Sequence, residues 1–523
     1  MLPDDLEFNE QFDEAFRTID DTDQNVFVTG RAGTGKSTLL EYVRQNTGKD
    51  IAFLAPTGVA AVNIRGQTIH SFFGFRPDIT VQKVREEFQD RDRDGLFEEL
   101  EAILIDEISM VRADLMDCMD EFLRMHGPQP DQPFGGIQMI FIGDLYQLPP
   151  VVTSDEKKHF ESMYDSPYFF DSRVFDEMDV KLVELQKVYR QTDGDFIELL
   201  NAVRKRTLTD EHLEQLNERL DPDFEPDPDE MYVHLTPTNS KASEINRRQL
   251  SRLSGNTYTF HGNRSGDFDE GALPTAQTLE LKEEAQVMMV NNDSQGRWVN
   301  GTIGRVQSFD PEEEQIRVEL ETGGCVDVEP YSWEMYEFTY DEQQNALVSE
   351  VVGSFKQYPM TLAWAVTIHK SQGKTYDRVV IDYDRGMFAH GQTYVALSRC
   401  TSLDGLVLKK PIEEKHVFTD WRIQKFLTDY RYARANREMP VEEKKERIRA
   451  AIKNDHDLHL VYLKSDDTRS ERRITPEQVG EMEYRGHPFE GVEGYCHKRE
   501  AERVFNLEKI LQLTVAADEQ SSS

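Results

Sequence analysis

Residues 25–45, "NVFVTGRAGTGKSTLLEYVRQ", predict a strand, a glycine-rich loop and a helix near the start of the chain. An apolar, strand-like run is followed by a loop of the form G-x-x-x-x-G-K-[ST], and a helical pattern comes next. Glycines allow such a loop to point its backbone N–H groups at phosphate oxygens. A plain glycine-rich turn is the alternative, but strand, loop and helix are in register. We therefore predict a binding loop for a nucleoside triphosphate, made by Gly30, Ala32, Gly33, Thr34, Gly35, Lys36, Ser37 and Thr38.

Within this loop, Lys36 is expected to reach the β- and γ-phosphates, and the Ser37 hydroxyl to ligate Mg²⁺. The run "LIDEIS" places Asp106 and Glu107 at the end of an apolar strand. We expect Asp106 to hold Mg²⁺ and Glu107 to orient and deprotonate the attacking water. An acidic pair alone is usually a solvated strand end, but the phosphate loop upstream strengthens the prediction. The expected cofactors are thus ATP and Mg²⁺.

Further polar residues complete a candidate catalytic set. Gln147 in "GDLYQLPPV" follows another strand, where an amide could sense the γ-phosphate; a turn built on Gly143 and two prolines is the alternative. Arg190 in "KVYRQTD" and Arg399 in "VALSRCTS" are candidates for arginines brought onto the γ-phosphate. Such arginines can contribute about 10³ to 10⁵ in rate. For either one taken alone, an ordinary surface arginine is the default.

Length and composition limit the class of protein. A chain of 523 residues suggests about three or four domains. No apolar run approaches the roughly 20 residues that span a bilayer, and the first residues are acidic rather than signal-like, so no membrane partner is expected. The four cysteines lie far apart, without a C-x-x-C pair, which favours a reducing cytoplasm over a zinc or disulfide framework.

The formal net charge of −38 argues by itself against a nucleic-acid partner. Two explanations remain open. The acidic surface could be an adaptation to a salt-rich cytoplasm, in which self-repulsion is screened. Alternatively, an acidic protein could carry a locally basic groove.

Eight segments occur in the order typical of superfamily 1 helicases: "GRAGTGKST", "APTGVAAVNIRGQTIHSFF", "LIDEISM", "GDLYQLPPV", "KVYRQTD", "LTPTNSKASEIN", "LAWAVTIHKSQGKTYDRVVID" and "GQTYVALSRCTSLDGL". The chain most resembles the PIF (petite integration frequency) type of 5′-to-3′ DNA helicase, superfamily 1B, over about residues 5 to 425. RecD-type helicases are the nearest relatives, but they usually carry a long domain before the phosphate loop, which here begins at Gly30.

The resemblance implies an α/β fold with two RecA-like parallel-sheet domains in tandem. The first would span residues 1–185, with a small strand-separating insertion at about 74–98. The second would span 186–285 and 357–437, interrupted by a small β-barrel at 286–356, where the hydrophobic period changes to two. A β-rich module at 438–513 and a disordered tail at 514–523 complete the expected order.

The resemblance also implies residue roles. Phe8 and Gln11 would hold the adenine, Gln372 and Gly373 would lie near the phosphates, and Arg190 and Arg399 would be the two arginine fingers. The bound strand would be contacted from both domains, by Thr57, Asn63, Thr68, His70, Thr367, His369, Lys370 and Ser371. The two histidines could instead be buried core residues. The expected partners are single-stranded DNA and tailed or forked duplexes, bound by a monomer.

The last part of the chain resembles a WYL module, a small β-barrel with a closing helix, through "GYCHKR" and "LEKI". The W-Y-L tripeptide itself is absent, and this departure from the family pattern argues against a ligand-binding role. Five basic residues could form a face for single-stranded nucleic acid, with an ordinary solvated surface as the alternative: Arg472, Arg473, Lys498, Arg499 and Arg503.

Three functional classes compete on this sequence. A nucleic-acid motor needs two domains that clasp ATP, and both are predicted. A switch-type NTPase would leave Arg399 and "TIHKSQG" unexplained, and a ligand-sensing regulator would rest on the C-terminal module alone. The sequence therefore favours an ATP-dependent 5′-to-3′ DNA helicase, with a RecD-type helicase or a translocase without strong unwinding as the alternative.

Overall fold

The computed structural model describes residues 9–89, 95–153, 156–191, 193–341, 346–383, 390–464, 467–484 and 486–516. These residues form two compact units, divided between Phe418 and Thr419. In the described ranges, no helix is both long enough and apolar enough to cross a membrane. All four cysteines are free thiols.

The first unit begins with a six-stranded parallel sheet in the order β3-β2-β4-β5-β1-β6. Its strands are β1 Asn25–Gly30, β2 Ile51–Ala55, β3 Gln67–Thr68, β4 Ala102–Ile105, β5 Gln138–Gly143 and β6 Val180–Leu185. The central strands β2, β4 and β5 are buried along their whole length, as expected when helices cover both faces of a parallel sheet. The strands predicted before Asp106 and before Gln147 correspond to β4 and β5.

Nine helices accompany this sheet among the described residues: α1 Glu10–Asp21, α2 Lys36–Asn46, α3 Gly58–Asn63, α4 Ile69–Phe73, α5 Val81–Glu87, α6 Leu96–Glu99, α7 Ala113–His126, α8 Lys157–Phe160 and α9 Arg173–Glu177. The insertion expected at 74–98 contains α5 and the start of α6, and residues 90–94 lie outside the described residues. Phe73, Phe75, Phe88 and Phe97 pack here around Phe122 of α7. This aromatic core packs the insertion against helix α7.

The chain then enters the second α/β domain through α10 Gly194–Lys205, α11 Asp210–Asn217, β7 Val233–Thr236 and α12 Asn239–Arg252. Antiparallel strands follow: β8 Tyr258–His261, β9 Asn263–Gly266, β10 Thr278–Leu281, β11 Gln286–Met289, β12 Ile303–Asp310, β13 Gln315–Leu320, β14 Cys325–Val328, β15 Tyr331–Asp341, β16 Ala346–Gln357 and β17 Met360–Leu362. They form sheets in the orders β10-β8, β14-β13-β12-β11-β17 and β15-β16-β9.

This antiparallel region is wider than the barrel expected at 286–356, because pairing begins at Tyr258 and ends at Leu362. The first strands gave little signal in the sequence. β9 is exposed along its whole length and so lacks the alternating apolar residues that mark a half-buried strand.

Strands that follow the antiparallel region complete the second parallel sheet, whose order is β18-β7-β19-β20. Its later elements are β18 Ala365–Thr367, β19 Val379–Ile381, α13 Gln392–Leu397 and β20 Leu406–Leu408. The two parallel sheets confirm the predicted α/β fold with two RecA-like domains in tandem.

The second unit consists of α14 Trp421–Glu438, α15 Val441–Lys453 and an antiparallel sheet in the order β24-β23-β22-β21-β25. Its strands are β21 Leu458–Leu463, β22 Arg469–Tyr484, β23 His487–Cys496, β24 Ala501–Asn506 and β25 Ile510–Val515. Ile448 and Ala451 of α15 pack onto the buried face of the sheet.

Three expectations for this region are corrected. Helix α14, placed by sequence in the second RecA-like domain up to residue 437, groups with the C-terminal unit. Among residues 486–516, no α-helix closes the module; "LEKI" instead forms a 3₁₀ turn, Leu507–Lys509, followed by strand β25. β25 also includes residues 514 and 515 of the expected tail, and residues 517–523 lie outside the described residues. The other 3₁₀ turns are Ile108–Met110, Pro133–Gly136, Phe169–Asp171, Pro228–Glu230, Glu270–Ala272 and Glu414–His416.

Candidate active site

The phosphate loop connects β1 to α2, as predicted. Gly33 and Gly35 have φ values of +77° and +89°, which side-chain-bearing residues rarely adopt. A Cβ on Gly33 would also lie 2.4 Å from the Cβ of Arg190. The Lys36 ammonium donates to the carbonyls of Gly30 at 2.8 Å and Arg31 at 3.0 Å. The loop is therefore folded around its own lysine, at the place where the motif predicts phosphate contacts.

The remaining residues of the phosphate loop differ in solvent exposure. Ala32 and Thr34 are buried, Thr38 is partly buried and the Ser37 side chain is exposed. Thr34 closes the loop internally, since its hydroxyl donates to the Arg31 carbonyl at 2.9 Å. An exposed hydroxyl at position 37 fits the predicted role as a magnesium ligand.

Asp106 and Glu107 follow directly after β4. Burial raises the pKa of Asp106 to about 6, and burial together with the Asp106 charge raises the pKa of Glu107 to about 7. Glu107 has a φ of +50°, an uncommon conformation for a residue with a side chain. A carboxyl group whose pKa lies near neutrality is suited to accept a proton at physiological pH.

Gln147 is buried and connects the two domains. Its side-chain oxygen accepts from Gln372 of the second domain at 3.2 Å, and the same Gln372 amide donates to a Glu107 oxygen at 3.0 Å. At Gly391, which has a φ of +76°, a Cβ would lie 2.2 Å from the Gln147 carbonyl oxygen. The loop that carries Gln147 thus lies directly against the second domain.

An ion pair that sequence reasoning missed supports this loop. Arg204 of α10 donates to an Asp144 oxygen at 3.0 Å, and both side chains are almost completely buried. The Arg204 guanidinium also lies over the Tyr146 ring, 4.2 Å from its centroid. Asp144 stands in the "GDLYQLPP" segment quoted above, but no local signal paired it with Arg204.

The two candidate arginine fingers meet at the phosphate loop. Arg190 follows β6, and its guanidinium donates to the carbonyls of Ser398 at 3.3 Å and Gly373 at 3.0 Å. Burial, and then the Arg399 charge, lowers the pKa of Arg190 to about 9. Two cationic groups so close together favour an anionic ligand between or beside them.

Arg399 is 1% exposed and is held on all sides. Its guanidinium donates to the carbonyls of Val395, Ser371 and Lys374 at 2.9, 3.2 and 3.1 Å. These neutral acceptors orient the group without cancelling its charge. Burial lowers the pKa of Arg399 from its usual value, and the Glu107 carboxylate is among the groups that oppose this shift.

A second residue missed at the sequence level is Tyr394 of α13. Its hydroxyl accepts from the backbone N–H of Ala32 in the phosphate loop at 3.0 Å, across 362 residues of sequence. Tyr394 is buried, and the contact brings helix α13 of the second domain onto the loop. Buried aromatic residues in a helix are usually core residues, so the sequence carried no signal for this role.

At the adenine end, Phe8 lies outside the described residues, and Gln11 is partly buried in the first turn of α1. Tyr189 is a further candidate here. Its ring lies 3.7 Å from the position of a Cβ on Gly35, and its hydroxyl accepts from Asn9 at 3.3 Å. The ring has an exposed fraction of 47%, and the Lys187 ammonium lies 5.1 Å from its centroid.

The first-domain residues predicted to contact single-stranded DNA lie in helices α3 and α4 or just before these helices. Thr57 and Thr68 precede these helices, and their hydroxyls accept from Ala60 and Ser71 N–H groups. Thr57 and Asn63 are exposed, and Thr68 and His70 are partly buried. Burial lowers the pKa of His70, which keeps this imidazole neutral at physiological pH.

The second-domain set is only partly presented to solvent. His369 and Lys370 are exposed. Thr367 is buried with its hydroxyl accepting from the Lys370 N–H, and Ser371 is completely buried with its hydroxyl donating to the Ile368 carbonyl. The Ser371 side chain therefore does not face the bound DNA, and the Ser371 backbone carbonyl instead positions Arg399. This turn folds its two hydroxyl groups onto its own backbone, which the sequence did not indicate.

The five basic residues of the C-terminal module do not form one basic face. Arg473 is paired with Asp457 at 2.7 Å, and Arg472 precedes it on β22, where successive side chains point to opposite sides. Desolvation, and then the charges of Glu477 and Glu493, raises the pKa of Glu502. The solvated-surface alternative describes this sheet better.

The residues of the first domain fit a nucleotide and a magnesium ion. Mg²⁺ prefers oxygen ligands and is usually held by one or two protein groups together with phosphates. Ser37 and Asp106 supply a hydroxyl and a carboxylate next to the phosphate loop. Within the described ranges, no cluster of three or more His, Cys, Asp or Glu residues forms a separate metal site.

Comparisons with known proteins agree with this arrangement. Residues 7–213 match the family model of PIF1-like helicases, and residues 443–515 match the WYL domain. The chain is 34% identical over 396 residues to ATP-dependent DNA helicase Pif1 of Bdellovibrio bacteriovorus. The aligned region covers 74% of this chain and 84% of that protein. It is 37% identical over 394 residues to human ATP-dependent DNA helicase PIF1, covering 73% of this chain and 58% of the human protein.

Solved structures are similar as well. The structure of Bacteroides Pif1 in complex with ADP-AlF4 superimposes with a TM-score of 0.75 at 35% identity, covering 82% of this chain and 97% of that one. Bacteroides Pif1 in complex with ADP-AlF3 and ssDNA gives a TM-score of 0.57 at 35% identity, covering 82% of this chain and 98% of that one.

Proposed function

Because this chain belongs to the PIF1-like helicase family, we propose that it is an ATP-dependent DNA helicase that moves 5′-to-3′ along single-stranded DNA and unwinds tailed or forked duplexes. One observation carries the proposal. Groups from the second domain, namely Gln372, Tyr394 and Arg399, converge on the phosphate loop and catalytic carboxylates of the first. A cleft that closes in this way can couple hydrolysis to domain movement.

The residues take the following roles in hydrolysis. Lys36 and the N–H groups of residues 30–38 bind the phosphates. Ser37 and Asp106 would hold Mg²⁺, which would neutralise charge on the phosphates. Glu107 orients a water and takes its proton at the carboxylate oxygen. Arg190 and Arg399 stabilise the charge that develops on the transferred phosphoryl group.

The side-chain amides of Gln147 and Gln372 couple occupancy of the nucleotide site to the contact between the two domains. Both amides meet beside Glu107, and each belongs to a different domain. A phosphate that displaces or reorients Gln372 would also change the contact between Gln147 and the second domain. Gln11 and Tyr189, with Phe8 preceding them, supply the adenine end.

Single-stranded DNA is proposed to cross both domains on one face, which carries Thr57, Asn63, Thr68, His70, His369 and Lys370. Neutral hydroxyl, amide and imidazole groups dominate this set. Such contacts read the backbone without regard to sequence, as a motor requires. They also lose little strength at high salt, which makes DNA binding compatible with the net charge of −38.

Unwinding needs a repeated energy input, because DNA stacking costs about 1.4 kcal/mol per base-pair step. The test is ATP-dependent unwinding of duplexes with a 5′ or a 3′ tail, from low to molar KCl, with Lys36→Ala as the inactive control. We expect unwinding of the 5′-tailed duplex, lost in the variant. Strand-stimulated hydrolysis without unwinding would indicate a translocase, and absence of stimulation would contradict the motor.

The same experiment tests the acidic surface. Activity that survives molar KCl would support adaptation to a salt-rich cytoplasm, and collapse there would refute it. Family membership favours the PIF type over the RecD type. The cytoplasmic setting and the monomeric state remain predictions from the sequence.

A further inference from the structure

The Tyr394 hydroxyl uses only part of its hydrogen-bonding capacity. It accepts from the backbone N–H of Ala32 at 3.0 Å, and the tyrosine is 4% exposed. Among the residues that the structure describes, no oxygen or nitrogen accepts the proton of this hydroxyl. A phenol both donates and accepts, and a buried tyrosine hydroxyl usually finds a partner for each role. The protein itself therefore leaves one donor unsatisfied at the phosphate loop.

The hydroxyl keeps this proton at physiological pH. Burial, and then the Asp144 charge, raises the pKa of Tyr394 to about 12. The Asp144 carboxylate is already engaged, since one of its oxygens accepts from Arg204 at 3.0 Å and the other from the Gln147 amide at 3.4 Å. The Tyr394 proton is thus available to an acceptor that comes from outside the protein.

One peptide group of the phosphate loop separates Tyr394 from Lys36. The Arg31 carbonyl of this group accepts from the Lys36 ammonium at 3.0 Å, and its N–H, which belongs to Ala32, donates to Tyr394. Lys36 is the side chain expected to reach the β- and γ-phosphates. The unsatisfied donor therefore lies beside the part of the loop that receives the end of the triphosphate.

Helix α13 places Tyr394 between two other groups expected at the γ-phosphate. At Gly391, just before the helix, a Cβ would lie 2.2 Å from the Gln147 carbonyl oxygen. Just after the helix comes Arg399, whose guanidinium donates back to the Val395 carbonyl at 2.9 Å. The short helix thus has Gln147 at its start, the phosphate loop at Tyr394 and an arginine finger at its end.

We propose that Tyr394 contacts the substrate, its hydroxyl donating a hydrogen bond to a γ-phosphate oxygen of ATP. The inference rests on the proposed function. The contact adds only a hydrogen bond, because the phenol keeps its proton and Glu107 remains the base. ADP has no γ-phosphate, so Tyr394 favours the triphosphate over the diphosphate. Since Tyr394 belongs to the second domain, release of phosphate removes one bond that holds the cleft closed.

The test compares the affinities of two nucleotides for Tyr394→Phe. A fluorescent ADP analogue is displaced by ADP and by a β,γ-imido analogue of ATP that is not hydrolysed, with Mg²⁺ and without DNA. Loss of a hydrogen bond to a charged group should weaken binding of the triphosphate analogue by about tenfold or more and leave ADP affinity unchanged. Tyr376→Phe is the matched control, because its buried hydroxyl donates to the Met288 sulfur at 3.3 Å instead, and it should bind both nucleotides like the wild type.

The ratio of the two affinities distinguishes substrate contact from support of the loop. Loss of the Ala32 contact alone would weaken both nucleotides equally, because both bind the same loop. Equal weakening in Tyr394→Phe, or an unchanged affinity for the triphosphate analogue, would overturn the proposal. Binding of ADP by the variant shows at the same time that its nucleotide site is folded.

A second measurement uses the wild type alone. In a crystal structure with the triphosphate analogue, the Tyr394 hydroxyl should lie about 3 Å from a γ-phosphate oxygen. A hydroxyl that stays on the Ala32 N–H and makes no phosphate contact would overturn the proposal. A wild type whose ATP hydrolysis oligothymidine does not stimulate would instead refute the helicase function, and the affinity ratio would still decide the role of Tyr394.

Discussion

The contact between Gln372 and Glu107 allows a quantitative prediction for Gln372→Leu. In the wild type, the Gln372 amide donates to a Glu107 oxygen at 3.0 Å across the domain boundary. A hydrogen bond to a charged group stabilises the charged form, so it holds the pKa of Glu107 below the value that burial alone would give. Leucine fills similar space but cannot donate. The pKa of Glu107 should therefore rise above its wild-type value of about 7.

The size of the shift follows from the strength of the lost bond. Hydrogen bonds to charged groups contribute about 1.5–3 kcal/mol, and about 1.36 kcal/mol corresponds to one pKa unit, so the pKa should rise by about 1–2 units. A protonated carboxyl cannot accept a proton from water, so activity is lost on the acid side. At pH 7 the fraction of ionised Glu107 should fall about 5- to 50-fold, and kcat/KM for ATP should fall with it.

The assay is steady-state ATP hydrolysis with saturating oligothymidine between pH 6 and 9, because the pH dependence of kcat/KM reports groups of the free enzyme. We expect the acid limb of Gln372→Leu to move upward and activity to recover at high pH. Gln147→Leu is the matched control, since it removes the other partner of the Gln372 amide and leaves the bond to Glu107 intact. A uniform loss at every pH, with an unmoved inflection, would refute the reasoning.

Three further predictions follow from buried charges. Arg399→Ala should lower kcat by about 10³-fold or more, with a smaller effect on nucleotide affinity by equilibrium titration; an equal loss in both would contradict a role in the transition state. Arg204→Met should cost about 3–5 kcal/mol of unfolding free energy in denaturant titrations, because it leaves the Asp144 charge buried and unpaired; Asp144→Leu in the same chain should restore part of it. In the C-terminal unit, burial lowers the pKa of Lys444 from 10.5 to about 8, so the unfolded state binds more protons between these values. Unfolding free energy should therefore rise with pH from about 8 to 10 more steeply in the wild type than in Lys444→Met, and equal slopes would exclude the effect.

Lys444 of α15 is a buried cation that connects three elements of the C-terminal unit. Its ammonium is completely buried and donates to the Asn436 side chain at 2.7 Å and to the carbonyls of Leu507 and Ile510 at 3.1 and 2.8 Å. It joins the two helices to the turn before β25. Neutral acceptors satisfy its donors but do not offset the loss of hydration, which is why burial lowers its pKa.

Local sequence patterns were sufficient to predict those parts of the site that are contiguous along the chain. The phosphate loop needs glycines, a lysine and a serine within nine residues, and the strand before it and the helix after it are both contiguous with it. Asp106 and Glu107 follow an apolar run that can only be a buried strand in this context. The two parallel-sheet domains were implied by the resemblance of the eight ordered segments to a helicase family, and the complete burial of β2, β4 and β5 agrees with a parallel sheet covered on both faces.

Contacts between distant residues, and elements with weak periodicity, could not be predicted from local patterns. Tyr394 reaches Ala32 across 362 residues, and Arg204 pairs with Asp144 across 60, so no local pattern could reveal either contact. Ser371 looked like a strand contact, but its turn buries it and uses its carbonyl to hold Arg399. The final "LEKILQL" formed a turn and a strand, because pairing with β21 overrode a short segment whose local preference is weak.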